Sequence, residues 1–324
     1  MKRPTDKAVL FDADSLIYTA GFASEKLLFT HGGAMLHDDE GAITTLTRAK
    51  AFCLAGGLSF EGIDFEVQPE PLEHALHILN GIYDSVRVAL EGYGKVHTLL
   101  SDRVTFRHKL ATIRPYKGNR ENSRKPYWGD AIRAHMYKYR DAAYVEDLEA
   151  DDLCGIFQRD DTVIVGVDKD LLTIPGAHYN WKKKEFMLIN ELEADRNFYT
   201  QLLEGDKVDN IPGLAYCTDE TVKEYSLHFS ARKGCGPAAS RSILESAETS
   251  EEMYRRVKEC YTKTYFDMVS RGGDEPDGRH ELGALMDIQE VGRLLFMTRE
   301  LREDCTPVLW ELPDEDDRRA VEGL

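Results

Sequence analysis

Three carboxylates that could do chemistry together, Glu149, Asp151 and Asp152, lie within four residues in the run DLEADD. An apolar helical pattern begins at this point. One acid suits the first turn of a helix, because the first backbone amides are unpaired and this end of the helix dipole is positive. Three acids this close repel one another unless a cation lies among them. The run therefore indicates a metal site if other parts of the chain bring carboxylates to the same place.

Aspartates follow three apolar runs that we interpret as buried strands. The runs AVLF, KVHTLL and TVIVGV lead into Asp12, Asp102 and Asp168. Strands that alternate with helical patterns predict an α/β fold with a parallel sheet, which binds ligands at the carboxyl ends of its strands. Aspartate after a strand is also common as a helix cap or turn residue, so the inference depends on the set and not on one member.

Nine carboxylates are predicted to meet at this edge of the sheet. General acid–base chemistry does not need so many, whereas Mg²⁺ and Mn²⁺ take oxygen ligands. Two such ions about 4 Å apart can stabilise the attacking and leaving oxygens of a phosphoryl displacement. Two of the aspartates are three residues apart in GDKVDNIPG, which predicts that they share a helical face. The nine are Asp12, Asp102, Glu149, Asp151, Asp152, Asp168, Asp170, Asp206 and Asp209.

The charge of the chain is unevenly distributed. The formal net charge is -17, which alone argues against a nucleic-acid partner. Between Arg103 and Arg140, however, eleven Lys or Arg residues stand against two acids, a local charge of +9. We interpret this segment, which has RPYKGNR at its centre, as a binding site for a polyanion. Tyr116 and Tyr127 offer rings on which an exposed base would stack.

Composition excludes several classes of protein. With 42% hydrophobic and 31% charged residues, the chain is expected to be globular and soluble. No apolar run approaches the ~18 residues of a membrane span, and the first residues predict no signal peptide. The six cysteines are scattered without a CxxC pair, which argues against a zinc site or a disulfide framework and favours a reducing cytoplasm.

The first two thirds of the chain contain further predicted elements. Apolar residues at spacings of three and four predict a helix over 71–91. Alternation around three lysines predicts a β-hairpin over 177–189. Residues 30–70 are interpreted as a loop-rich insertion with one short helix near 46–54.

The last third is predicted to be mostly helical, with a loop at 271–279. The turn from Gly234 to Gly236 opens a helix and presents free backbone amides, which is typical of a phosphate site and equally of a tight turn. The acidic tail at 314–317 is expected to be a solvated or frayed end.

These observations together predict a metal-dependent nuclease, and the motifs support a family resemblance. FDAD, Asp102 ahead of TFRH, RPYKGNR, LEADD, VDKD and GDKVDNIPG occur in this order over about residues 8–245. In this respect the chain resembles the flap endonuclease and 5′→3′ exonuclease superfamily, and within it the exonucleases of T-seven-type short-tailed bacteriophages. The glycine turn departs from the family pattern, because about twenty residues separate Gly213 from Gly234.

The resemblance implies a PIN-like catalytic domain over 1–195 and a helical domain over 196–324 with a helix-three-turn-helix-like DNA-binding element. It implies two Mg²⁺ ions, replaceable by Mn²⁺, and K⁺ at the glycine turn. The first ion would be held by the five carboxylates from Asp12 to Asp152 and the second by the four from Asp168 to Asp209. Residues implied to act in catalysis are Lys117, Arg120, Asp151 and Asp168. Residues implied to bind DNA are Arg103, Arg107, Arg114, Tyr116, Lys117, Arg120, Arg124, Lys125, Gly234 and Gly236.

The implied substrate is double-stranded DNA with 5′ ends, with flaps and RNA primers in RNA–DNA hybrids as further candidates. The implied setting is phage DNA replication, recombination or host DNA breakdown in the host cytoplasm. Two alternatives remain open. A phosphatase of the haloacid dehalogenase type also begins with a strand and DxD, and would use Asp12 as a covalent nucleophile and Asp14 as a general acid. A nucleic-acid-binding relative that has lost catalysis is the other.

Overall fold

The computed structural model describes residues 7–121, 123–228, 233–272 and 279–323. The chain divides into two compact units that are not consecutive in sequence. Unit 1 comprises the described parts of 1–12, 93–123 and 143–324, and unit 2 comprises 13–92 and 124–142. All predicted site residues except Arg124 and Lys125 belong to unit 1. The functional division at residue 195 stays a prediction.

Unit 1 is built on a five-stranded sheet with the order β10-β9-β8-β1-β7. The pairs β1/β7, β1/β8 and β8/β9 are parallel, and only the pair β9/β10 within this sheet is antiparallel. The predictions of an α/β fold, a parallel sheet and a terminal hairpin are therefore confirmed. The strands of the described chain are β1 (Ala8–Asp12), β2 (Glu25–His31), β3 (Ala34–Met35), β4 (His37–Asp38), β5 (Gly41–Ala42), β6 (Ile63–Pro69), β7 (Val96–Leu99), β8 (Thr162–Gly166), β9 (Gly176–Asn180) and β10 (Glu185–Ile189).

The central strands of this sheet are apolar because both of their faces are covered. Every residue of β1 and β8 is buried, as is typical of parallel strands with helices on both faces. The helices of the described chain are α1 (Asp14–Ala23), α2 (Leu46–Ala55), α3 (Leu72–Ala89), α4 (Phe106–Leu110), α5 (Gly129–Tyr139), α6 (Ala150–Phe157), α7 (Glu191–Glu204), α8 (Asp219–Glu224), α9 (Pro237–Leu244), α10 (Ser250–Gly272), α11 (Arg279–Leu295) and α12 (Glu315–Glu322).

Two apolar clusters of the described residues belong to unit 1. One lies between the sheet and α6 and includes Leu10, Leu153 and Ile164. The other joins α7 to the later helices and includes Leu202, Val257 and further buried residues up to Leu312. The last third of the chain is mostly helical, as predicted. The predicted loop at 271–279 falls largely on residues 273–278, which lie outside the described residues.

Unit 2 corrects the prediction for residues 30–70. The short helix is confirmed as α2, but the surrounding segment is not loop-rich. Instead, β2, β6 and β3 form an antiparallel sheet in which Phe29 pairs with Phe65. Phe29, Ile43 and Cys53 give it a small core of its own. The sequence signal was weak because the paired strands are separated by more than thirty residues and include many exposed side chains.

The acidic tail is also different from the prediction. Asp314 caps α12 by accepting hydrogen bonds from the backbone N–H groups of Asp316 and Asp317. The Asp317 carboxylate is buried, and Tyr254 Oη and Lys258 Nζ donate to it at 2.7 and 2.6 Å. The tail is therefore a docked helix, because one of its four acids anchors it to α10.

Candidate metal-binding and catalytic site

Asp12 lies at the carboxyl end of β1, between β7 and β8, where the parallel strands end. Its side chain is buried. The neighbouring strand β8 ends at Gly166, where a Cβ atom would lie 2.2 Å from Leu171 Cδ1 and 3.6 Å from Asp12 Oδ2. A side chain at this position would collide with Leu171, so glycine is needed for Leu171 to pack against the end of β8 beside Asp12.

Asp151 belongs to the first turn of α6 and faces a group of carboxylates. Burial raises the pKa of Asp151 well above its usual range, and the charges of Asp12, Asp168, Glu149 and Asp170 raise it further. Such mutual repulsion is the physical sign that these carboxylates converge. A concentration of oxygen donors with excess negative charge suits a hard divalent cation.

Asp170 is the centre of the adjoining group of acids. Burial and the charges of Asp168, Asp206 and Asp209 raise the pKa of Asp170 to about 7. Gln201 Nε2 donates a hydrogen bond to Asp170 Oδ1 at 2.7 Å. The Gln201 side chain is buried, and its Oε1 has no hydrogen-bond partner within the described part of the chain. A carbonyl oxygen of this kind is a further donor beside the acids.

Asp206 and Asp209 lie in a tight loop, not on the helical face that was predicted. The backbone N–H of Asp206 donates to Ile211 O at 2.9 Å, and that of Ile211 donates to Asp206 O at 2.7 Å. Gly205 has φ +70°, and a Cβ atom on it would lie 2.4 Å from the Gly213 nitrogen. The two glycines thus allow the ends of the loop to touch, which explains their spacing.

The loop orients its two aspartates by direct contacts. Asp206 Oδ1 accepts hydrogen bonds from the backbone N–H groups of Val208 and Asp209 at 2.6 and 3.1 Å. Lys169 Nζ lies 3.0 Å from Asp206 Oδ2. Burial disfavours the charged form of Asp206, but Lys169 and the backbone donors outweigh it and lower the pKa.

The basic segment docks on this loop through backbone and amide contacts. The Lys117 N–H donates to Asp209 O at 2.8 Å, and Asn210 Nδ2 donates to Pro115 O at 2.9 Å. Asn119 Nδ2 donates to Lys207 O at 2.7 Å. Two motifs that are nearly ninety residues apart in sequence therefore form one surface.

The side chains of the basic segment are aimed at the carboxylates. Lys117 Nζ donates to Glu149 Oε1 at 2.6 Å and lies 3.6 Å from Asp209 Oδ2. Arg120 pairs with Asp209 and also donates from Nε to Val208 O at 2.9 Å. Burial disfavours the charged form of Glu149, but Lys117 and Arg107 outweigh it and lower its pKa. The site therefore combines acids with cations that could exchange a carboxylate for a phosphate.

Tyr116 is a structural part of the site and not an exposed ring. Its side chain is buried, and its hydroxyl lies 2.9 Å from Glu149 Oε2 and 2.8 Å from Asp209 Oδ2. Burial and the charge of Glu149 raise the pKa of Tyr116 well above its usual range, so the hydroxyl keeps the proton that it donates. The prediction that Tyr116 stacks a base is wrong for this structure, because a base can stack only on a ring face that is accessible, and this ring is buried.

Arg107 and Asp152 also have a structural role, in contrast to the predictions that Arg107 contacts DNA and that Asp152 binds a metal ion. Both side chains are fully buried, and Arg107 binds Asp152 through two hydrogen bonds of 2.6 and 2.8 Å. Asp152 additionally accepts hydrogen bonds from the backbone N–H groups of Thr298 and Glu149. Four donors saturate the carboxylate, and a buried guanidinium has no surface to offer DNA.

Asp102 accepts hydrogen bonds from two backbone N–H groups. Its Oδ1 accepts from the Arg103 N–H at 2.7 Å, and its Oδ2 accepts from the Asp147 N–H at 3.0 Å. It therefore anchors the segment that leads into α6. Its role as a metal ligand stays a prediction.

The other predicted DNA-binding residues are distributed over both units. Arg103 and Arg114 are exposed in unit 1. In unit 2, Lys125 is exposed and Arg124 pairs with Glu25. Gly236 caps α9, and Gly234 is exposed. Contacts of these residues with DNA, and K⁺ at the glycine turn, stay predictions.

Three residues that support the site or the neighbouring Arg107–Asp152 ion pair escaped the sequence analysis: Lys169, Gln201 and Thr298. Lys169 lies between two aspartates in VDKD, and a positive charge among acids could have indicated that it pairs with one of them. Gln201 interrupts the apolar pattern of α7, and a single polar residue in such a pattern is only a weak signal of a functional role. Thr298 acts through its backbone N–H, which no side-chain pattern reports.

In the described ranges, no three His, Cys, Asp or Glu side chains already stand in an arrangement that could hold a metal ion. The donor set fits a hard cation by its chemistry, since seven acids lie close enough to repel one another and a buried amide oxygen beside them has no partner in the described part of the chain. The assignment of individual ligands to two ions stays a prediction. Searched over the same ranges, no helix is long and apolar enough to cross a membrane.

Comparisons with known proteins give one kind of match. No protein-family model matches the chain, and no curated protein is significantly similar in sequence. Among solved structures, the chain is similar to the bacteriophage T5 flap endonuclease in a pseudo-enzyme–product complex with DNA and metal ions. The identity is 13% and the TM-score 0.34, over 64% of this chain and 89% of that one. A second structure, the T5 protein co-crystallised with metal ions, is matched at 13% identity and a TM-score of 0.35, over 66% and 90%. A likeness of this size assigns no activity to the chain.

Proposed function

We propose that this protein is a metal-dependent nuclease that hydrolyses phosphodiester bonds in DNA. One observation supports it above the others. Seven acids from four separate segments converge at the carboxyl edge of a parallel sheet, and Lys117 and Arg120 reach into the same place. Phosphoryl transfer needs this combination, because the substrate and the developing charge are anionic.

The residues have distinct roles in this proposal. Asp12, Glu149 and Asp151 would hold one divalent cation, and the acids from Asp168 to Asp209 another, with Mg²⁺ or Mn²⁺ as the ions. Bound cations would supply Lewis-acid stabilisation of the phosphate and a more acidic water. Lys117 and Arg120 would bind the phosphate that is cleaved, through charge-assisted hydrogen bonds of the kind they now make to carboxylates.

Several finer features are proposed on the sequence motifs. Attack from 5′ ends, in the 5′→3′ direction, follows from the resemblance, as do flap and RNA–DNA hybrid substrates. We assign duplex binding to the exposed basic residues Arg103 and Arg114 and to the helical region around Gly234 and Gly236. A role in phage DNA replication, recombination or host DNA breakdown belongs to the same proposal.

The deciding experiment uses a linear duplex labelled at its 5′ end in one sample and its 3′ end in another. Each is incubated with the protein in Mg²⁺, in EDTA, and with the variant Asp168→Asn. Early release of the 5′ label only, absent in EDTA and in the variant, is expected. Early release of the 3′ label would overturn the proposed 5′→3′ direction of hydrolysis. Intact DNA on duplex, flap and hybrid substrates would overturn the nuclease, and a phosphoenzyme on Asp12 would identify a phosphatase instead.

Metal binding is tested separately from activity by thermal unfolding. A ligand that binds only the native state raises the melting temperature. Mn²⁺ and Mg²⁺ are expected to raise that of the wild type and to have less effect on Asp168→Asn. Asp147→Asn is the matched control, because this aspartate pairs with Lys109. Equal shifts in all three proteins would place the cation elsewhere.

A further inference from the structure

A small cavity opens beside the acids, on one face of the sheet. The strand register puts Ile164, His178 and Met187 side by side on that face, from β8, β9 and β10. These three side chains and Leu171 line the cavity. The cavity has a volume of about 170 Å³.

The end of β8 lies between the cavity and the proposed catalytic edge. Gly166 lines the cavity, and the position of its missing Cβ is 3.6 Å from Asp12 Oδ2. Asp168 and Lys169 lie at the same opening. A chemical group bound in the cavity would therefore place the bond that joins it to the rest of its ligand a short distance from the acids.

The opening is edged by polar groups that a nucleotide could use. Lys183 lies there on the β9–β10 turn, together with Asn180 and Glu185. Asn180 Oδ1 accepts hydrogen bonds from the backbone N–H groups of Lys182 and Lys183 at 3.1 and 3.0 Å, which fixes the shape of the turn. Its amide nitrogen is a donor that these two bonds do not use.

One of these lining side chains, His178, is polar and has a defined tautomer. Burial lowers the pKa of His178, so the ring is neutral near pH 7. Its Nε2 is 2.7 Å from Ile174 O and must donate to it. The Nδ1 atom is therefore an acceptor. Apolar walls with one acceptor and one amide suit a flat heterocycle that carries its own donors and acceptors.

We propose that this cavity binds one nucleobase of the nucleic acid, that of the nucleotide beside the cleaved bond, with Lys183 contacting its phosphate. The assignment rests on the proposed nuclease function. The volume is smaller than the about 300–1,000 Å³ of sites for drug-sized ligands, so it takes a single base and not a dinucleotide. The lysine-rich turn, which the carboxylate site leaves without a role, becomes part of the substrate site.

The test is binding of deoxynucleoside 5′-monophosphates, measured by isothermal titration calorimetry in EDTA so that the acid cluster holds no cation. Deoxynucleosides and inorganic phosphate are titrated in parallel. Wild type is expected to bind the monophosphate best and inorganic phosphate least. Met187→Phe fills the cavity and should weaken the monophosphate at least about tenfold. Leu188→Phe, on the opposite face of β10 and 74% exposed, is the matched control and should change nothing.

The turn supplies a second, independent pair of variants. Lys183→Ala should weaken the monophosphate about fivefold to tenfold and leave the deoxynucleoside unchanged, because one charge-assisted contact is lost. Lys182→Ala removes the same charge from a residue that does not line the cavity, and should change affinity less than twofold. Equal losses in both variants would mean diffuse attraction and would overturn the proposal, even if Met187→Phe fails to fold.

The two proposals fail in different ways. A wild type that cleaves DNA but binds no monophosphate would overturn the base site and leave the nuclease intact. A wild type that binds the monophosphate, with the expected pattern of variants, but cleaves no nucleic acid would overturn the nuclease and leave a nucleotide-binding cavity. Monophosphate binding that Met187→Phe and Leu188→Phe weaken equally would place the ligand outside the cavity.

Discussion

Two adjacent aspartates are expected to respond in opposite ways to the same substitution. Asp152→Asn leaves the guanidinium of Arg107 buried without a counter-charge, whereas Asp151→Asn removes one of several carboxylates that repel each other. Removing one partner of a buried ion pair typically costs about 3–5 kcal/mol. We therefore expect Asp152→Asn to lose about that much stability near pH 7, and Asp151→Asn to lose none or to gain.

The pKa shifts give the same signs. Burial raises the pKa of Asp152, but Arg107 outweighs this and lowers it, so its stabilisation is present above about pH 4 and is lost as the pH falls below. The pKa of Asp151 is raised, so its charged form destabilises the folded state at neutral pH. At pH 7 the two variants therefore move in opposite directions.

The assay is equilibrium unfolding in urea with EDTA, followed by far-ultraviolet circular dichroism and by tryptophan fluorescence. Coincident transitions justify a two-state free energy. Arg107→Met and the double variant Arg107→Met/Asp152→Asn complete a cycle, and the double variant should lose less than the sum of the singles. An Asp152→Asn protein as stable as the wild type, but without metal-induced stabilisation, would refute the structural role and restore Asp152 as a ligand.

Four further outcomes are expected. Lys117→Ala should slow cleavage by more than about a hundredfold and weaken duplex binding less than about threefold, since the lysine acts near the reacting phosphate; equal losses in single-turnover rate and Kd would contradict this role. Asp170→Asn should flatten the pH dependence of stability, because a folded pKa of about 7 makes stability fall as the pH rises from about 4 to about 7; an unchanged urea-midpoint profile would count against it. Tyr254→Phe should lower the unfolding free energy by about 1–3 kcal/mol, since Asp317 loses a buried donor; an unaltered urea midpoint would argue that the α12 anchor is unimportant. Duplex affinity should fall linearly on a plot of log K against log salt, and a flat line would exclude phosphate contacts.

Local pattern was sufficient to predict most of the secondary structure in unit 1. Uninterrupted β-branched and apolar runs gave β1 and β8, because strands buried on both faces need no polar alternation. Alternation gave the β9–β10 hairpin. The location of the acids at one edge followed from the parallel order, since the carboxyl ends of parallel strands share an edge. In unit 2 the same approach predicted the helices α2 and α3 but missed the antiparallel sheet, because β2 and β6 are half-exposed strands whose partner lies far away in sequence.

The sequence by itself determined which residue types meet: acids after strands, a basic segment and a glycine-bounded loop. Only the tertiary structure decided what each one does. Asp151 and Asp152 are identical and adjacent, but successive residues on a helix point about 100° apart. One therefore faces the acid cluster and the other faces the core, where Arg107 neutralises it. Likewise, Arg107 and Tyr116 look like DNA contacts in a basic segment until packing buries them. Composition fixes the charges that are present, and burial, which depends on contacts between distant parts of the chain, fixes which of them are available.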